Sequence, residues 1–163
     1  MKKILLISTG GTFNKVYDPI EGDLKIDRMS ESLKQIASKW LCEFEIINII
    51  GKDSLEMTTK DRMELLVTIN QSDYEQVIVI HGTDTMDVTA SYLADAALEK
   101  KIILTGAIVP YSIDPVEATA NLASAYGYLL HPIENGIYIS MHGNVVPSTD
   151  IHKDRVQGKF ICR

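Results

Sequence analysis

Two kinds of hydrophobic pattern alternate along the chain. Short, nearly continuous apolar runs occur at Lys3–Ser8 (KILLIS), Glu43–Ile50 (EFEIINII), Gln76–Ile80 (QVIVI), Lys101–Leu104 (KIIL) and Gly136–Met141 (GIYISM). Runs of this length predict strands buried on both faces. Between them, apolar residues recur at helical spacing. Leu33, Ile36, Ala37, Trp40 and Leu41 form one stripe within 30–41. Met63, Leu66 and Val67 follow Thr58-x-x-Asp61, which resembles a capping box. Met86, Ala90, Leu93, Ala94, Ala97 and Leu98 share a third face. Asp114-Pro115-Val116-Glu117 offers an N-cap, a proline at the first helical position and an acid at the third. It opens a helix expected to run to about Leu130.

The resulting order, βαβαβαβαβ, predicts one α/β domain over residues 1–163. Its sheet should be open and mainly parallel, Rossmann- or flavodoxin-like, with right-handed crossovers and helices on both faces. Ligands of such sheets bind beyond the carboxyl ends of the strands. Those ends read Thr9-Gly10-Gly11-Thr12, Gly51-Lys52-Asp53-Ser54, His81-Gly82-Thr83-Asp84-Thr85, Thr105-Gly106-Ala107 and His142-Gly143-Asn144. The amino ends carry plainer residues, among them Lys2, Lys3, Glu43, Lys100 and Asn135. Each glycine or small polar residue alone suits an ordinary βα loop. Their concentration on one rim is what points to a site.

Composition narrows the function classes. The 163 residues are 45% apolar and 23% charged, as in ordinary globular domains. Sixteen basic against 22 acidic residues leave a net charge of −6, which argues against a nucleic-acid partner. The last residues, KDRVQGKFICR, are locally basic and read as a solvated tail. No stretch approaches the roughly 18 apolar residues of a membrane span. MKKILLIS has a basic tip but no long apolar region and no small-residue cleavage site, as expected of a mature cytoplasmic protein. Two cysteines, Cys42 and Cys162, make no disulfide framework and suit a reducing compartment.

The candidate chemistry narrows by elimination. TGGT lacks both the GxGxxG spacing and the GK[ST] ending, so no nucleotide cofactor is expected. His81, His131, His142 and His152 show no HExxH or paired-ligand spacing, so no metal is expected. His131 falls at a helix end, and His81 should orient its own loop through a backbone hydrogen bond. No G-x-S-x-G elbow is present, and neither cysteine sits where a thiolate would be activated. Threonine with lysine remains. A threonine hydroxyl is a poor nucleophile until a neighbour takes its proton. A lysine accepts that proton only where burial or cationic neighbours draw its pKa down from about 10.4. Thr83 and Asp84, with Lys153 after the fifth strand, meet this need, although a surface charge in a basic tail would read the same way.

At these residues the chain resembles a known family. ILLISTGGT and VIVIHGTDTMDVTA resemble the two signature segments of the bacterial-type L-asparaginases. ILTGAIVP resembles that family's next strand and turn, and SMHGNVVPSTDIHK the segment bearing its lysine. The resemblance spans essentially the whole chain but only the family's amino-terminal domain. It therefore looks like the short, single-domain form, without the second domain whose acid, from a neighbouring subunit, contacts the substrate amine.

The resemblance implies hydrolysis of L-asparagine to L-aspartate and ammonia through a threonine acyl-enzyme, with glutaminase as a weaker side activity. Thr12 matches the nucleophile, and Thr83, Asp84 and Lys153 match the second catalytic cluster. Ser54 matches the holder of the substrate α-carboxylate, Asp84 that of the α-amino group, and Ala107 a residue whose carbonyl faces the amide. Gly11, Asp53 and Gly82 flank these positions and join the expected substrate contacts. Tyr17 is the only tyrosine in the loop after TGGT and matches a catalytic tyrosine there. The segment 13–29, with Pro19 and Gly22 and no periodicity, reads as a lid. Leu55, Glu56 and Val109 depart from the family pattern, which uses a polar residue, an aspartate and an arginine. A small-molecule amino acid is the implied ligand, and a homodimer or homotetramer is the expected remedy for an open site. The alternatives are an amidase for another ω-amide and a non-catalytic amino-acid sensor, which would need no lysine beside threonine.

Overall fold

A computed structural model describes residues 3–40 and 43–163. Leu41, expected on the first helical stripe, and Cys42 lie outside the described residues, as does Lys2. The five expected strands are present as β1 (Ile4–Gly10), β4 (Phe44–Lys52), β5 (Gln76–Ile80), β6 (Lys101–Thr105) and β7 (Gly136–Met141). The four helices are α1 (Glu31–Trp40), α2 (Thr59–Gln71), α3 (Met86–Asp95) and α4 (Pro115–Leu129). The main sheet runs β4-β1-β5-β6-β7-β8, where β8 is Asn144–Pro147. The first five strands are parallel, and β8 returns antiparallel to β7. Chain order reverses between β1 and β5, so the loops after these strands diverge to opposite sides and leave a crevice.

Side-chain alternation along β1 builds both layers. Leu5 and Ile7 pack with Leu65 and Ile69 of α2 and Met86, Ala90 and Leu93 of α3. Ile4 and Leu6 face the other way, with Leu33 and Ile36 of α1 and Leu122, Ala125 and Leu129 of α4. Both expected helix starts are present. Thr58 Oγ1 accepts from the Asp61 amide at 3.2 Å, and the Thr58 amide donates to Asp61 Oδ2 at 2.8 Å. That amide is the main reason the Asp61 carboxyl is held below its ordinary range. Asp114 Oδ1 accepts from the Val116 amide at 3.0 Å.

Three expectations are corrected. The buried stripe of α2 is Asp61, Arg62, Leu65 and Ile69, while Met63 and Val67 are exposed. The helix is rotated because Arg62 turns inward to a polar network described below. On α3, Ala94 is exposed, and Ala97 lies beyond the helix end. Third, segment 13–29 is not an irregular loop: it carries a hairpin of β2 (Lys15–Asp18) and β3 (Asp23–Ile26). Four-residue strands are too short to show a periodicity. Their turn is closed by Gly22 N–H to Asp18 O at 2.8 Å and by Lys25 Nζ at 2.7 Å from both Asp18 and Glu21.

A similar local effect follows β7. His142 and Gly143 both have positive φ, 51° and 84°, and join Met141 to Asn144 in a two-residue hairpin turn. The fifth rim loop is therefore a tight turn. The chain then forms a last hairpin, β9 (Ile151–Asp154) and β10 (Lys159–Cys162). Ile151 and Phe160 enter the α2/α3 side of the core, which fixes this hairpin against the sheet.

Candidate active site

The loops after β1, β4 and β5 meet at the crevice, and two glycines let them. A Cβ on Gly11 would stand 2.6 Å from the Gly82 amide nitrogen, and Gly11 has φ +79°. A Cβ on Gly82 would stand 2.8 Å from Ser54 Oγ. The three backbones are thus in mutual contact, with Gly11 N–H also donating to Lys52 O at 3.0 Å. Around them lies a cleft of about 360 Å³ lined by Thr12, Lys15, Asp53, Ser54, Leu55, Glu56, Gly82, Thr83 and Asp84. This lies within the range of roughly 300–1,000 Å³ of small-molecule sites.

Lys153, on β9, reaches the cleft from the side. Its Nζ donates to Thr83 Oγ1 at 2.9 Å and to Asp84 Oδ1 at 2.8 Å. The lysine side chain is 16% exposed and that of Asp84 42%. Arg155 Nη2 donates to the Asp84 carbonyl at 2.9 Å and ties the same hairpin to the loop. Thr83 is thus held by a largely buried amine whose charge is balanced by a neighbouring carboxylate. Thr12 lines the same cleft from a short 3-10 turn at Thr12–Asn14. Among the described residues its hydroxyl makes no hydrogen bond, so it is free to meet a ligand. A second ion pair, Lys15 Nζ to Asp53 Oδ1 at 3.0 Å, closes the β2 side.

Beneath the Gly82–Thr83 backbone lies a buried chain of hydrogen bonds. His81 Nδ1 is 2.6 Å from Gly82 O, so it carries the proton and donates. Its Nε2 then accepts from Thr89 Oγ1 at 2.7 Å, and Thr89 Oγ1 accepts from Arg62 Nε at 2.9 Å. Burial pushes the His81 pKa down from 6.5 to about 4, partly offset by its bond to the Gly82 carbonyl, with smaller opposing effects from the Arg62 and Asp87 charges. His81 orients its own loop, as the sequence suggested, and does so as a neutral ring. At the other end, Thr85 N–H donates to Ser54 Oγ at 3.2 Å and Thr85 Oγ1 donates to Ser54 O at 2.8 Å.

The remaining candidate residues lie apart from the cleft lining. Tyr17 is on β2, opposite Leu24, and is 63% exposed. Ala107 is buried in the α1/α4 layer, in the same apolar cluster as Phe13. Its loop is fastened by Ile108 and Val109 amides donating to Glu117, which in turn accepts from His142 Nε2 at 2.8 Å. Lys15 and Arg62 escaped the sequence reading, and Thr85 was read only as part of its rim loop. Lys15 stood in an aperiodic segment, and Arg62 looked like an ordinary polar helix position. Among the described residues no cluster of histidine, cysteine, aspartate and glutamate could hold a metal ion.

The "Asparaginase, N-terminal" family model matches residues 3–158. The chain belongs to the asparaginase family. Among curated relatives in sequence, it is 30% identical over 152 residues to a glutamyl-tRNA(Gln) amidotransferase subunit of Methanococcus maripaludis, covering 88% of this chain and 35% of the relative. It is also 30% identical over 134 residues to L-asparaginase 1 of Escherichia coli, covering 76% and 39%. The L-asparaginase I structure from Vibrio cholerae matches with TM-score 0.82 and 27% identity, covering 99% of this chain and 51% of that one. The thermostable L-asparaginase of Thermococcus kodakarensis shares the fold at TM-score 0.85 and 22% identity, over 98% and 51%. The chain thus spans between a third and half of the length of these family members. By name, these relatives divide between L-asparaginases and a subunit of an amidotransferase.

Proposed function

We propose that the cleft hydrolyses the side-chain amide of L-asparagine, with L-glutamine as a weaker substrate, through an acyl-enzyme on Thr12. The carrying observation is the Lys153–Thr83–Asp84 cluster in the cleft that also holds the free hydroxyl of Thr12. Thr12 Oγ would attack the amide carbon, ammonia would leave with the added proton, and an ester would remain. Amides of Gly11 and the Gly82–Thr83 backbone are the candidate oxyanion donors, each worth about 2.7–4 kcal/mol in comparable sites. Water, oriented by Thr83 and its lysine, would cleave the ester and restore Thr12. Ser54 would take the α-carboxylate and Asp84, together with Asp53, would face the α-amino end. The β2–β3 hairpin would close over the ligand and bring Tyr17 nearer. The backbone carbonyl of Ala107 would face the substrate amide.

A second reading is that the amide is another ω-amide whose ammonia serves a partner, as the match to an amidotransferase component suggests. Ammonia release from L-asparagine and L-glutamine by wild type and Thr12→Ala tests both. Turnover of asparagine lost in the variant supports the first reading. Turnover of glutamine alone supports the second, and equal turnover in the variant removes Thr12 from the chemistry. Tight L-aspartate binding without turnover would mark a sensor. Assembly as a homodimer or homotetramer in the cytoplasm, where the exposed free thiol of Cys162 would stay reduced, completes the proposal. Light scattering tests the assembly, and a monomeric mass with full activity would refute the need for it.

A further inference from the structure

The cleft has a hidden cation. Arg62 is 7% exposed, and its guanidinium donates only to neutral acceptors: Thr89 Oγ1 at 2.9 Å, Thr85 Oγ1 at 3.0 Å and the Met57 carbonyl at 3.2 Å. Among the described residues no carboxylate lies within ion-pairing distance. The two lysines bordering the cleft differ, since Lys15 has Asp53 and Lys153 has Asp84, and Arg155, which also bonds only a carbonyl, is exposed to solvent. His81, which feels the charges of both Arg62 and Asp87, is itself neutral. Arg62 also ends the first turn of α2, where the helix dipole disfavours a cation. A buried guanidinium keeps its charge. Leaving it without a counter-ion is costly unless something else supplies one.

The network points to where that anion binds. Arg62 Nη2 holds Thr85 Oγ1, which spends its own proton on the Ser54 carbonyl. The Thr85 amide occupies a lone pair of Ser54 Oγ, which leaves the Ser54 hydroxyl proton to be donated into the cleft. Its preferred acceptor is a group whose negative charge also answers the guanidinium behind it. We infer that Arg62 is a positioning residue by which this cleft requires a free carboxylate on its ligand, acting through Thr85 and Ser54. This rests on the amino-acid-amide reading and sharpens it. The need for a free α-carboxylate, already part of that reading, is thereby assigned to a residue outside the cleft lining.

Two ligands that differ at the α-carboxylate test this. L-aspartate carries it, and L-aspartic acid α-amide (L-isoasparagine) has a carboxamide in its place. Calorimetric titration of wild type, Arg62→Met and Arg62→Lys with each gives a ratio of affinities. Arg62→Met should weaken aspartate about tenfold and isoasparagine by less than about twofold, with asparagine KM rising more than kcat falls. Equal weakening of both ligands would show a structural role and overturn the inference, as would unchanged aspartate affinity. Should Arg62→Met fail to fold, Arg62→Lys decides, because it keeps the charge. Its ratio should stay within about threefold of wild type, and a collapsed ratio would contradict the inference. Aspartate binding without ammonia release would sink the hydrolase reading alone. Failure of wild type to bind aspartate, or to prefer it over isoasparagine, would sink this one.

Discussion

The two walls of the cleft are built by different means. The wall after β5 is wired by two hydrogen-bonded sets on one loop: Lys153 with Thr83 and Asp84, and Ser54, Thr85, Arg62, Thr89 and His81 behind them. The wall after β1 is a short turn leading to an exposed hairpin, with Val16 at 40% and Ile20 at 93% exposure. The turn itself is anchored by Asn14, whose side-chain amide donates to Ser8 Oγ at 2.6 Å, but the hairpin beyond it is tied by isolated links such as Ser112 Oγ to Lys15 O at 2.7 Å and Lys15 Nζ to Asp53 at 3.0 Å. Charge handling needs fixed donors and acceptors, because a preorganised dipole costs no rearrangement during reaction. Admitting a ligand needs the opposite. Under the proposed function, proton and charge management would fall to the first wall and attack and gating to the second.

Substitutions can break this division, and the largest effect should fall on the reacting groups. Thr12→Ala and Lys153→Met should each lower kcat for asparagine by about 10²–10⁴-fold. Stopped assays for ammonia measure this, and a loss below tenfold for Lys153→Met would show that the wired wall is scaffolding. Gly11→Ala should come next. Its Cβ would strike the Gly82 backbone at 2.6 Å and 2.7 Å in a positive-φ position, so both walls must part. A loss of about 2–3 kcal/mol in stability is expected together with most of the activity, checked by urea unfolding.

His81 gives a pH signature of the wired wall. Its folded pKa of about 4 lies below the unfolded 6.5, so the unfolded chain takes up the proton first. The associated stability, about 3 kcal/mol, is complete above pH 6.5 and is lost as the pH falls towards 4. Melting temperatures across this window should drop steeply in wild type and less in His81→Gln. Parallel curves would show that burial of this ring does not control acid stability. The smallest effect is expected on the exposed wall. Tyr17→Phe should lower kcat by less than about tenfold, since closure has to carry the residue to the ligand. A loss as large as that of Lys153→Met would erase the proposed division.

Much of the frame was legible because it depends on local pattern. Continuous apolar runs marked the five parallel strands, and Thr58 and Asp114 marked two helix starts. The concentration of glycine and hydroxyl groups at one rim located the crevice. What escaped depends on contacts between distant residues. Hairpin strands of four residues fall below any periodicity, and the inward turn of Arg62 is decided by Thr85 and Thr89, more than twenty residues later. Lys153 was named from the sequence, but its hold on Thr83 comes from Ile151 and Phe160 anchoring its hairpin in the core. Tyr17 was chosen by elimination within one segment, and an alternating strand placed it on an open surface.

The division of labour is tested most directly by trapping the covalent intermediate. Thr83→Ala, mixed with L-asparagine and quenched in acid, should accumulate an aspartyl ester that peptide mass spectrometry maps to Thr12. An ester on any other residue, or wild-type ammonia release by Thr12→Ala, would contradict the account.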